Sequence, residues 1–352
     1  MTPMRRRIVF GLLAVMASAI VSTAVLLGID VYLHGRYQQS AGFNVWGYRG
    51  TPVGRKQADE YRIAMLGGSA AYGYGVTADE AIPAVLQRLL RERVPPPRFT
   101  VVNLAYNNEG AYSFKPTLTD YRWLKYDLVI LYEGYNDMGE RTNLQVFRHD
   151  SPVFRLTGYM PIFPIIFKEK AAAMVSGGDP GALYRQNGKT VFHAGLATRA
   201  SAGVLDTTAN VAQALEAELG RIAEEPAHHV DSTGAAGCAR PWTAYCQSMS
   251  VAIRFAREQG AQVLVGTQPY LRVEHLYARQ HAQQDELRAM LAREFGNDPS
   301  VGYVNLGEQI NLEDSHMSFD HMHLTERGNR IAAAGFVDPV IAMARRKEQK
   351  TS

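Results

Sequence analysis

The sequence contains only two cysteines, which excludes several classes of protein that depend on cysteine. Cys238 and Cys246 lie close together in the chain, and no Cys-x-x-Cys pair is present. A structural zinc site needs about four cysteine or histidine ligands, so this pair does not predict one. In an oxidising compartment the pair is expected to close a local disulfide. The alternative, two free thiols that happen to lie close in sequence, is left open.

The sequence also lacks a complete nucleotide-binding glycine motif. A dinucleotide fingerprint beginning at Gly67 would need glycine at the position of Ser69. Gly68 and Gly73 have the spacing of the two glycines in a phosphate-binding loop, but that loop would need lysine at the position of Tyr74. The nucleophile elbow of α/β-hydrolases would need glycine at the position of Ala71. None of these three motifs therefore predicts the function.

A basic surface for nucleic acid is absent as well. The formal net charge is +3, but residues 5–7 contribute +3 and residues 345–350 contribute a further +3. The remainder of the chain therefore carries 3 − 3 − 3 = −3. The pI of 8.7 reflects the two ends of the chain, and we predict no nucleic-acid partner.

One long hydrophobic run is present near the N-terminus. Residues 8–29 include no charged side chain and are long enough for a bilayer core, which needs about 20 apolar helical residues. Arg5, Arg6 and Arg7 precede the run, which places the N-terminus in the cytoplasm by the positive-inside rule. The alternative is a cleaved signal peptide, with residues 17–19 as a small-residue cleavage site. Both interpretations export the rest of the chain.

These features predict a single-pass protein of the inner (cytoplasmic) membrane, with its main domain on the periplasmic or extracytoplasmic side. Residues 1–33 form the basic tip and transmembrane anchor, and residues 34–60 form a juxtamembrane connector. Residues 61–346 form the main domain. Within it, residues 141–245 are rich in proline and glycine, with one helical stretch near 205–224, and are interpreted as an insertion or cap.

Hydrophobic periodicity outside this insertion alternates between strand and helix. The predicted strands are Arg62–Leu66, Phe99–Leu104, Asp127–Tyr132, Gln262–Thr267 and Gly302–Leu306. The predicted helices are Asp79–Arg93, Ser113–Lys125, 246–259, 274–295 and Thr325–Arg345. Strands that alternate with helices favour a parallel, doubly wound α/β sheet.

Polar residues with catalytic chemistry follow the first and third of these strands. Ser69 follows the first strand at a Gly-Gly turn, and Asn136 follows the third. Ligands of open α/β sheets bind beyond the carboxyl ends of strands, where a serine can attack a carbonyl and an asparagine can donate to an oxyanion. The alternatives are a small-residue packing turn at Ser69 and an ordinary turn residue at Asn136.

A possible base for Ser69 is found near the C-terminus. Asp320 precedes His323 by three residues, so its carboxylate could orient the imidazole that takes the serine proton. His321 competes for this role, and His316 does so more weakly. A metal site at Asp320, His321 and His323 has no further ligand at an obvious spacing, and none is predicted.

Four segments together resemble the sequence blocks of the SGNH hydrolases, also called the GDSL esterase/lipase superfamily. The resemblance covers roughly residues 60–140 and 260–340, and its blocks are 66–69, 103–105, 133–137 and 320–324. It implies a three-layer α/β/α, flavodoxin-like fold that needs no cofactor. It also implies that Ser69 is the nucleophile and an oxyanion-hole amide, that Asn136 is an oxyanion donor, and that Asp320 and His323 complete the catalytic set.

The sequence departs from the family pattern in two places. The usual Gly-Asp-Ser reads Gly67-Gly68-Ser69 here. The oxyanion-hole glycine usually follows the asparagine of the second block by five residues, which from Asn103 is Asn108. Gly110 lies two residues further on, and a small bulge would bring it into place. Either backbone amide could serve, and we favour Gly110.

The resemblance predicts a membrane-anchored serine esterase of the cell envelope. Residues 44–50 are similar to the lead-in of membrane-anchored members associated with envelope polysaccharides. The expected substrate is an acylated glycan or lipid from which an O-acyl or O-acetyl group is removed. An O-acyltransferase that uses the same residues with a sugar hydroxyl as acceptor is an open alternative. A non-catalytic envelope assembly protein that keeps the fold is another.

Overall fold

A computed structural model describes residues 3–38, 42–94, 98–139, 144–166 and 237–351 of the chain. Its first element is helix α1, Pro3–Tyr37. The most apolar 18-residue window of α1 has a mean hydropathy of 2.4 and is not buried against the protein. Among the described residues, α1 alone is long and apolar enough to cross a membrane, although a signal sequence meets the same criteria.

The core of the protein is a five-stranded parallel sheet. Its strands, in the spatial order β2-β1-β3-β4-β5, are β1 Glu60–Gly67, β2 Arg98–Asn103, β3 Leu128–Tyr132, β4 Gln262–Gly266 and β5 Val301–Val304. The register pairs Leu66 with Leu131 and Leu131 with Val265. Strands β1, β3 and β4 are buried along their whole length because helices cover both faces of the sheet.

Helices pack on both sides because successive strand residues point to opposite faces. The helices after α1 are α2 Ser69–Tyr72, α3 Ile82–Arg93, α4 Phe114–Asp120, α5 Pro152–Thr157, α6 Thr243–Glu258, α7 Glu274–Phe295 and α8 Glu326–Thr351. Ile63 and Met65 share one core with α3 and α8, whereas Ala64 and Leu66 share the other with α4, α6 and α7. The three-layer α/β/α fold predicted from the sequence is confirmed.

Two predicted helices are broken where the backbone changes conformation. The stretch Asp79–Arg93 begins with a 3₁₀ turn, Ala78–Glu80, before α3 starts at Ile82. The stretch Ser113–Lys125 consists of α4 flanked by short 3₁₀ turns, and Lys125 ends it in the left-handed region at φ 50°. Local capping and turn chemistry, which periodicity does not report, set these boundaries.

The segments predicted as connector and insertion contribute to the described fold. In the connector, Phe43, Tyr48 and Arg49 are buried, so residues 43–49 pack onto the domain, whereas most of residues 51–59 are exposed. In the predicted insertion, α5 lies in residues 144–166, and α6 begins at Thr243 rather than 246. A disulfide joins Cys238 to Cys246 next to this helix start. The helix predicted near 205–224 lies outside the described residues.

Candidate active site

The strand order places the candidate residues at one edge of the sheet. The chain enters at β1, adds β2 on one side and then β3 on the other, so the winding direction reverses between β1 and β3. Such a switch point opens a crevice beyond the carboxyl ends of the two strands. Ser69 follows β1 and Asn136 follows β3, so both residues lie at this crevice.

The two glycines before Ser69 are required by close packing. A Cβ at Gly67 would collide with the carbonyl oxygen of Tyr132 at the end of β3. A Cβ at Gly68 would collide with Asn136 Nδ2 and would lie 2.5 Å from Glu133 Oε2. The position that usually carries aspartate in Gly-Asp-Ser therefore has no room for a side chain here, because Asn136 and Glu133 occupy that space.

Helix α2, which carries Ser69 at its first position, is held at its other end by buried polar groups. Asn103 Nδ2 donates to the Tyr72 carbonyl at 3.1 Å, and its Oδ1 accepts from Ala105 N–H at 3.2 Å. The Arg49 guanidinium donates to the same Tyr72 carbonyl at 2.6 Å. Asn103, the asparagine of the second sequence block, thus fixes the C-terminal end of α2 through a backbone carbonyl.

A continuous hydrogen-bonded line connects Ser69, His323 and Asp320. Ser69 Oγ lies 2.7 Å from His323 Nε2, and His323 Nδ1 lies 2.6 Å from Asp320 Oδ2. Asp320 Oδ1 also accepts from the backbone N–H of His323 at 2.6 Å and of Met322 at 3.1 Å. The Asp-x-x-His spacing thus lets the Asp320 carboxylate accept hydrogen bonds from the backbone of the turn that follows it. The same carboxylate orients the ring of His323.

The protonation states follow from this geometry. Partial burial raises the pKa of Asp320, but the hydrogen bonds from the ring and backbone of His323 outweigh it and leave the pKa below its ordinary value. Asp320 is therefore ionised at neutral pH and can only accept hydrogen bonds. The proton of a neutral His323 ring consequently sits on Nδ1, which leaves Nε2 free to accept the Ser69 hydroxyl proton.

Two aromatic rings flank the imidazole of His323. The Tyr74 ring centroid lies 4.7 Å from that of His323, and the Phe319 ring stacks against it at 5.9 Å. The competing residue His321 points away, with its Nδ1 3.3 Å from the Leu312 carbonyl oxygen and its backbone in the left-handed region at φ 64°. His323 is therefore the histidine of this loop that contacts Ser69.

Asn136 sits on a short turn held by side chains from distant parts of the chain. The turn, Tyr135–Asp137, follows β3, and Asn136 Nδ2 donates to the Glu109 carbonyl at 2.9 Å. Gln268 Oε1 accepts from Tyr135 N–H at 2.8 Å. Gln283, fully buried on α7, donates to the Gly134 and Asp137 carbonyls at 3.0 and 2.9 Å. These contacts fix where the amide of Asn136 points.

Glu133 is a buried carboxyl group directly beneath this turn. Its Oε1 accepts from Gly134 N–H at 2.9 Å and from Asn136 N–H at 3.0 Å. Burial, together with the nearby charge of Asp137, raises its pKa to about 8, although backbone hydrogen bonds oppose the shift. Glu133 is therefore mainly uncharged at neutral pH while it positions the backbone of Asn136.

Gly110 and Asn108 occupy different environments. Gly110 is buried next to the Asp137 carboxylate, which accepts from the following amide of Ala111 at 2.8 Å. Gly110 also shares a peptide bond with Glu109, whose carbonyl accepts from Asn136. Asn108 is exposed and lies in the left-handed region at φ 60°. Gly110 is thus a buried residue of this loop, whereas Asn108 faces solvent.

The loop that carries Gly110 is fixed by a buried ion pair. Arg148 Nη2 lies 3.6 Å from Glu109 Oε2 and donates to the Leu104 carbonyl at 2.6 Å. Glu109 Oε1 accepts from Phe147 N–H at 2.9 Å. Residues 146–148, which fall within the predicted insertion, therefore support the second loop of the site.

Sequence reasoning missed the buried supports of the site. Gln268 and Gln283 contact the Asn136 turn but belong to no recognisable spacing pattern, and Glu133 opens the block 133–137 without a role assigned to it. One signal was available: polar residues at the end of buried β3 and on the apolar side of α7 need buried partners. Among the described residues, no group of three or more histidine, cysteine, aspartate and glutamate side chains is arranged to hold a metal ion.

The chain is similar to known esterases and acylhydrolases. The model of the GDSL-like Lipase/Acylhydrolase family matches residues 65–331. No curated protein sequence matches the chain significantly.

Three similar solved structures illustrate the likeness. The lipase/acylhydrolase from Enterococcus faecalis has 11% sequence identity and a TM-score of 0.43, covering 79% of this chain and 94% of that one. A family 3 carbohydrate esterase from Clostridium thermocellum has 12% identity and a TM-score of 0.41, covering 81% and 100%. A member of the lipolytic protein G-D-S-L family from Veillonella parvula has 10% identity and a TM-score of 0.41, covering 79% and 96%.

Proposed function

This chain belongs to the GDSL-like lipase/acylhydrolase family and is an ester-hydrolysing enzyme, and we propose that it works by an acyl-enzyme mechanism at Ser69. The observation that supports this proposal is the hydrogen-bonded line from Ser69 Oγ through His323 to Asp320, with separations of 2.7 and 2.6 Å. A nucleophile in contact with a base that is itself oriented by a third group is the arrangement that activates a serine hydroxyl.

The first half of the reaction acylates Ser69. His323 Nε2 takes the hydroxyl proton as Ser69 Oγ forms a bond to the ester carbonyl carbon, and the carbonyl oxygen becomes an oxyanion. Asp320 stabilises the imidazolium that results, because its ionised carboxylate holds the Nδ1 proton. Collapse of the tetrahedral intermediate breaks the bond to the alcohol oxygen, which receives the proton from His323.

The second half returns the enzyme to its starting state. Water gives a proton to His323 Nε2 while its oxygen attacks the acyl carbon, and the acid leaves as Ser69 recovers its proton. In both halves the oxyanion receives hydrogen bonds from Asn136 Nδ2 and from the backbone amides of Ser69 and Gly110. Gly110 is preferred to Asn108 because it is buried, whereas Asn108 is exposed.

The substrate we propose is an O-acyl ester, such as an O-acetyl ester, on a glycan or lipid of the cell envelope. The support for this location is α1, an N-terminal helix of suitable length and hydropathy for a membrane span. The arginines before it favour a cytoplasmic N-terminus, so the site faces the periplasmic or extracytoplasmic side.

Contacts at the end of α1 join this helix to the rest of the protein. His34 Nδ1 lies 2.7 Å from the Phe43 carbonyl oxygen, and its Nε2 lies 2.8 Å from that of Met160. Asp30 Oδ1 accepts from Ile162 N–H at 2.9 Å, and both Asp30 and His34 are buried. The C-terminal part of α1 is therefore docked on the domain through Asp30 and His34.

The proposal is tested with the full chain solubilised in detergent. We expect wild-type protein to hydrolyse p-nitrophenyl acetate and Ser69→Ala to lose that activity while its circular dichroism spectrum is unchanged. Equal activity in both proteins would show that Ser69 is not the nucleophile. If product forms only when a sugar acceptor is added, the same residues serve an acyltransferase rather than a hydrolase.

A further inference from the structure

Three exposed apolar side chains outside α1 lie on chain segments that contact one another. Trp46, Trp123 and Leu156 are 41%, 46% and 71% exposed. The rings of Trp46 and Trp123 lie 5.8 Å apart between centroids. Gly158, two residues after Leu156, lies against the Trp46 ring, because a Cβ placed there would be 3.8 Å from it. We call these three residues the tryptophan patch.

The tryptophan patch is connected directly to the end of α1. Val45, the residue before Trp46, accepts from Met160 N–H through its carbonyl at 3.0 Å. The Met160 carbonyl in turn lies 2.8 Å from Nε2 of His34 on α1. The segment that carries Leu156 and Gly158 therefore continues, within two residues, into the segment that receives the helix.

The position of this junction along α1 sets its depth relative to a bilayer. Asp30 is the first charged residue after the uncharged stretch of residues 8–29, which at about 1.5 Å per residue spans roughly the thickness of a bilayer core. Asp30 binds the backbone of Ile162 and Phe163. Residues 159–163 therefore lie where the hydrocarbon ends and the lipid headgroups begin.

The chemistry of the patch suits this depth. Tryptophan is enriched at membrane–water interfaces, because its ring is apolar and its indole N–H can meet water or headgroups. Arg122 and Arg155, each next in sequence to a patch residue, are exposed and could approach anionic headgroups. Neighbouring exposed tryptophans, unlike apolar residues scattered singly over a surface, indicate a contact site.

We infer that the tryptophan patch is a second membrane contact, which rests on the headgroup layer and holds the esterase domain in one orientation beside its anchor. This inference depends on the anchoring proposed above. The distance and orientation of the site relative to the bilayer would then be fixed. The Phe43 carbonyl oxygen contacts His34 on α1, and the Phe43 ring centroid lies 5.7 Å from that of Tyr72 at the end of α2.

The experiment uses the full chain in phosphatidylcholine–phosphatidylglycerol vesicles with or without brominated phosphatidylcholine, which quenches tryptophan emission on contact. The chain has three tryptophans, so three double variants to phenylalanine each retain one. We expect emission from Trp46 alone and from Trp123 alone to fall at least about twofold, as required for residues at interfacial depth. Half-buried Trp242, at the start of α6, is the matched control and should be unaffected.

The outcomes distinguish failure of the tryptophan patch from failure of the membrane anchor. Protein that fails to float with vesicles would overturn the anchor itself. Protein that floats but shows no quenching of Trp46 and Trp123 would overturn the patch alone, and quenching by added oligosaccharide would then assign it to sugar stacking. Equal quenching of all three tryptophans would contradict a fixed orientation. Wild-type protein, which needs no substitution to fold, should lose a larger share of its emission than the Trp242 control.

Discussion

The two sides of Ser69 are built in different ways. On one side, Asp320 and His323 form a short local loop, with side chains that are 40% and 15% exposed. On the other side, Asn136 lies on a turn held by buried groups from β3, from the end of β4 and from α7. The position of the proposed base is thus set by local spacing, whereas that of the candidate oxyanion donor is set by long-range packing.

This difference has a physical reason. A base must exchange protons with solvent-derived groups, so partial exposure of His323 is compatible with the role proposed for it. An oxyanion donor must already point at the developing charge, because donors that reorganise during the reaction stabilise it less. Buried, fully bonded supports such as Gln283 provide that rigidity, and each side of Ser69 can be tested separately.

The largest expected effect is on the base side. We expect His323→Ala to lower kcat/KM for p-nitrophenyl acetate by at least about 10³-fold, because Ser69 loses its proton acceptor. His321→Asn is the matched control, since asparagine tolerates the left-handed backbone there, and its kcat/KM should stay near the wild-type value. A comparable loss in both variants would indicate damage to the loop rather than loss of a base.

The next effect is on the oxyanion side. We expect Asn136→Ala to lower kcat by about 10²–10³-fold with little change in KM, because its amide acts on charge that develops in the transition state. The control is Asn108→Gly, which keeps the exposed left-handed turn and the backbone amide. A change in KM alone for Asn136→Ala would mean that the residue binds substrate and does not stabilise the oxyanion.

A smaller and pH-dependent effect is expected at Glu133. Its pKa is raised to about 8, so wild-type activity should decline as pH rises through that value and a buried negative charge forms beneath Asn136. Glu133→Gln, which stays neutral, should lose about tenfold or less at pH 7 through imperfect hydrogen bonding and should lack this decline. An identical alkaline limb in both proteins would remove Glu133 as its cause.

The same group should also affect stability. The folded-state pKa of Glu133 lies above the ordinary value of 4.5, so the folded protein holds the proton more tightly than the unfolded chain does. Its contribution to the free energy of unfolding is present below about pH 4.5 and is lost as pH rises towards about 8. In urea titrations, the free energy of unfolding of Glu133→Gln should therefore fall less than that of the wild type as pH rises from about 4.5 to about 8.

The smallest effect on rate is expected from the disulfide. It closes a short loop beside the start of α6, where Tyr245 donates to the Glu133 carbonyl at 3.0 Å. Cys238→Ser combined with Cys246→Ser should lower the free energy of unfolding by about 2–3 kcal/mol and leave kcat/KM nearly unchanged. Denaturation of the reduced wild-type protein should give the same shift, and unaltered stability in both would contradict a constraining role.

The contrast between the two sides of Ser69 also explains which features could be predicted from the sequence. The buried runs of β1 and β3 and the apolar face of α3 are local patterns, and they predicted the sheet and its layers. Asp320 and His323 are three residues apart, so their pairing follows from spacing. Gln283 and Gly134, by contrast, meet only because α7 packs on the sheet, and no local pattern reports a contact across 149 residues.

Gly68 is the clearest example of a residue whose identity is explained only by the structure. From the sequence, Gly67-Gly68-Ser69 is a departure from Gly-Asp-Ser without a visible cause. In the structure, the space for a side chain at Gly68 is filled by Asn136 and by the carboxylate of Glu133. The explanation requires the register that brings the ends of β1 and β3 together, which pairs Gly67 with Tyr132.

The most direct test of the central claim is covalent labelling of the wild-type chain and of His323→Ala with a fluorophosphonate, followed by peptide mass spectrometry. The account predicts a single adduct on Ser69 in the wild type, formed far more slowly in His323→Ala. An adduct on another serine, or equal labelling rates in the two proteins, would contradict a serine nucleophile activated by His323.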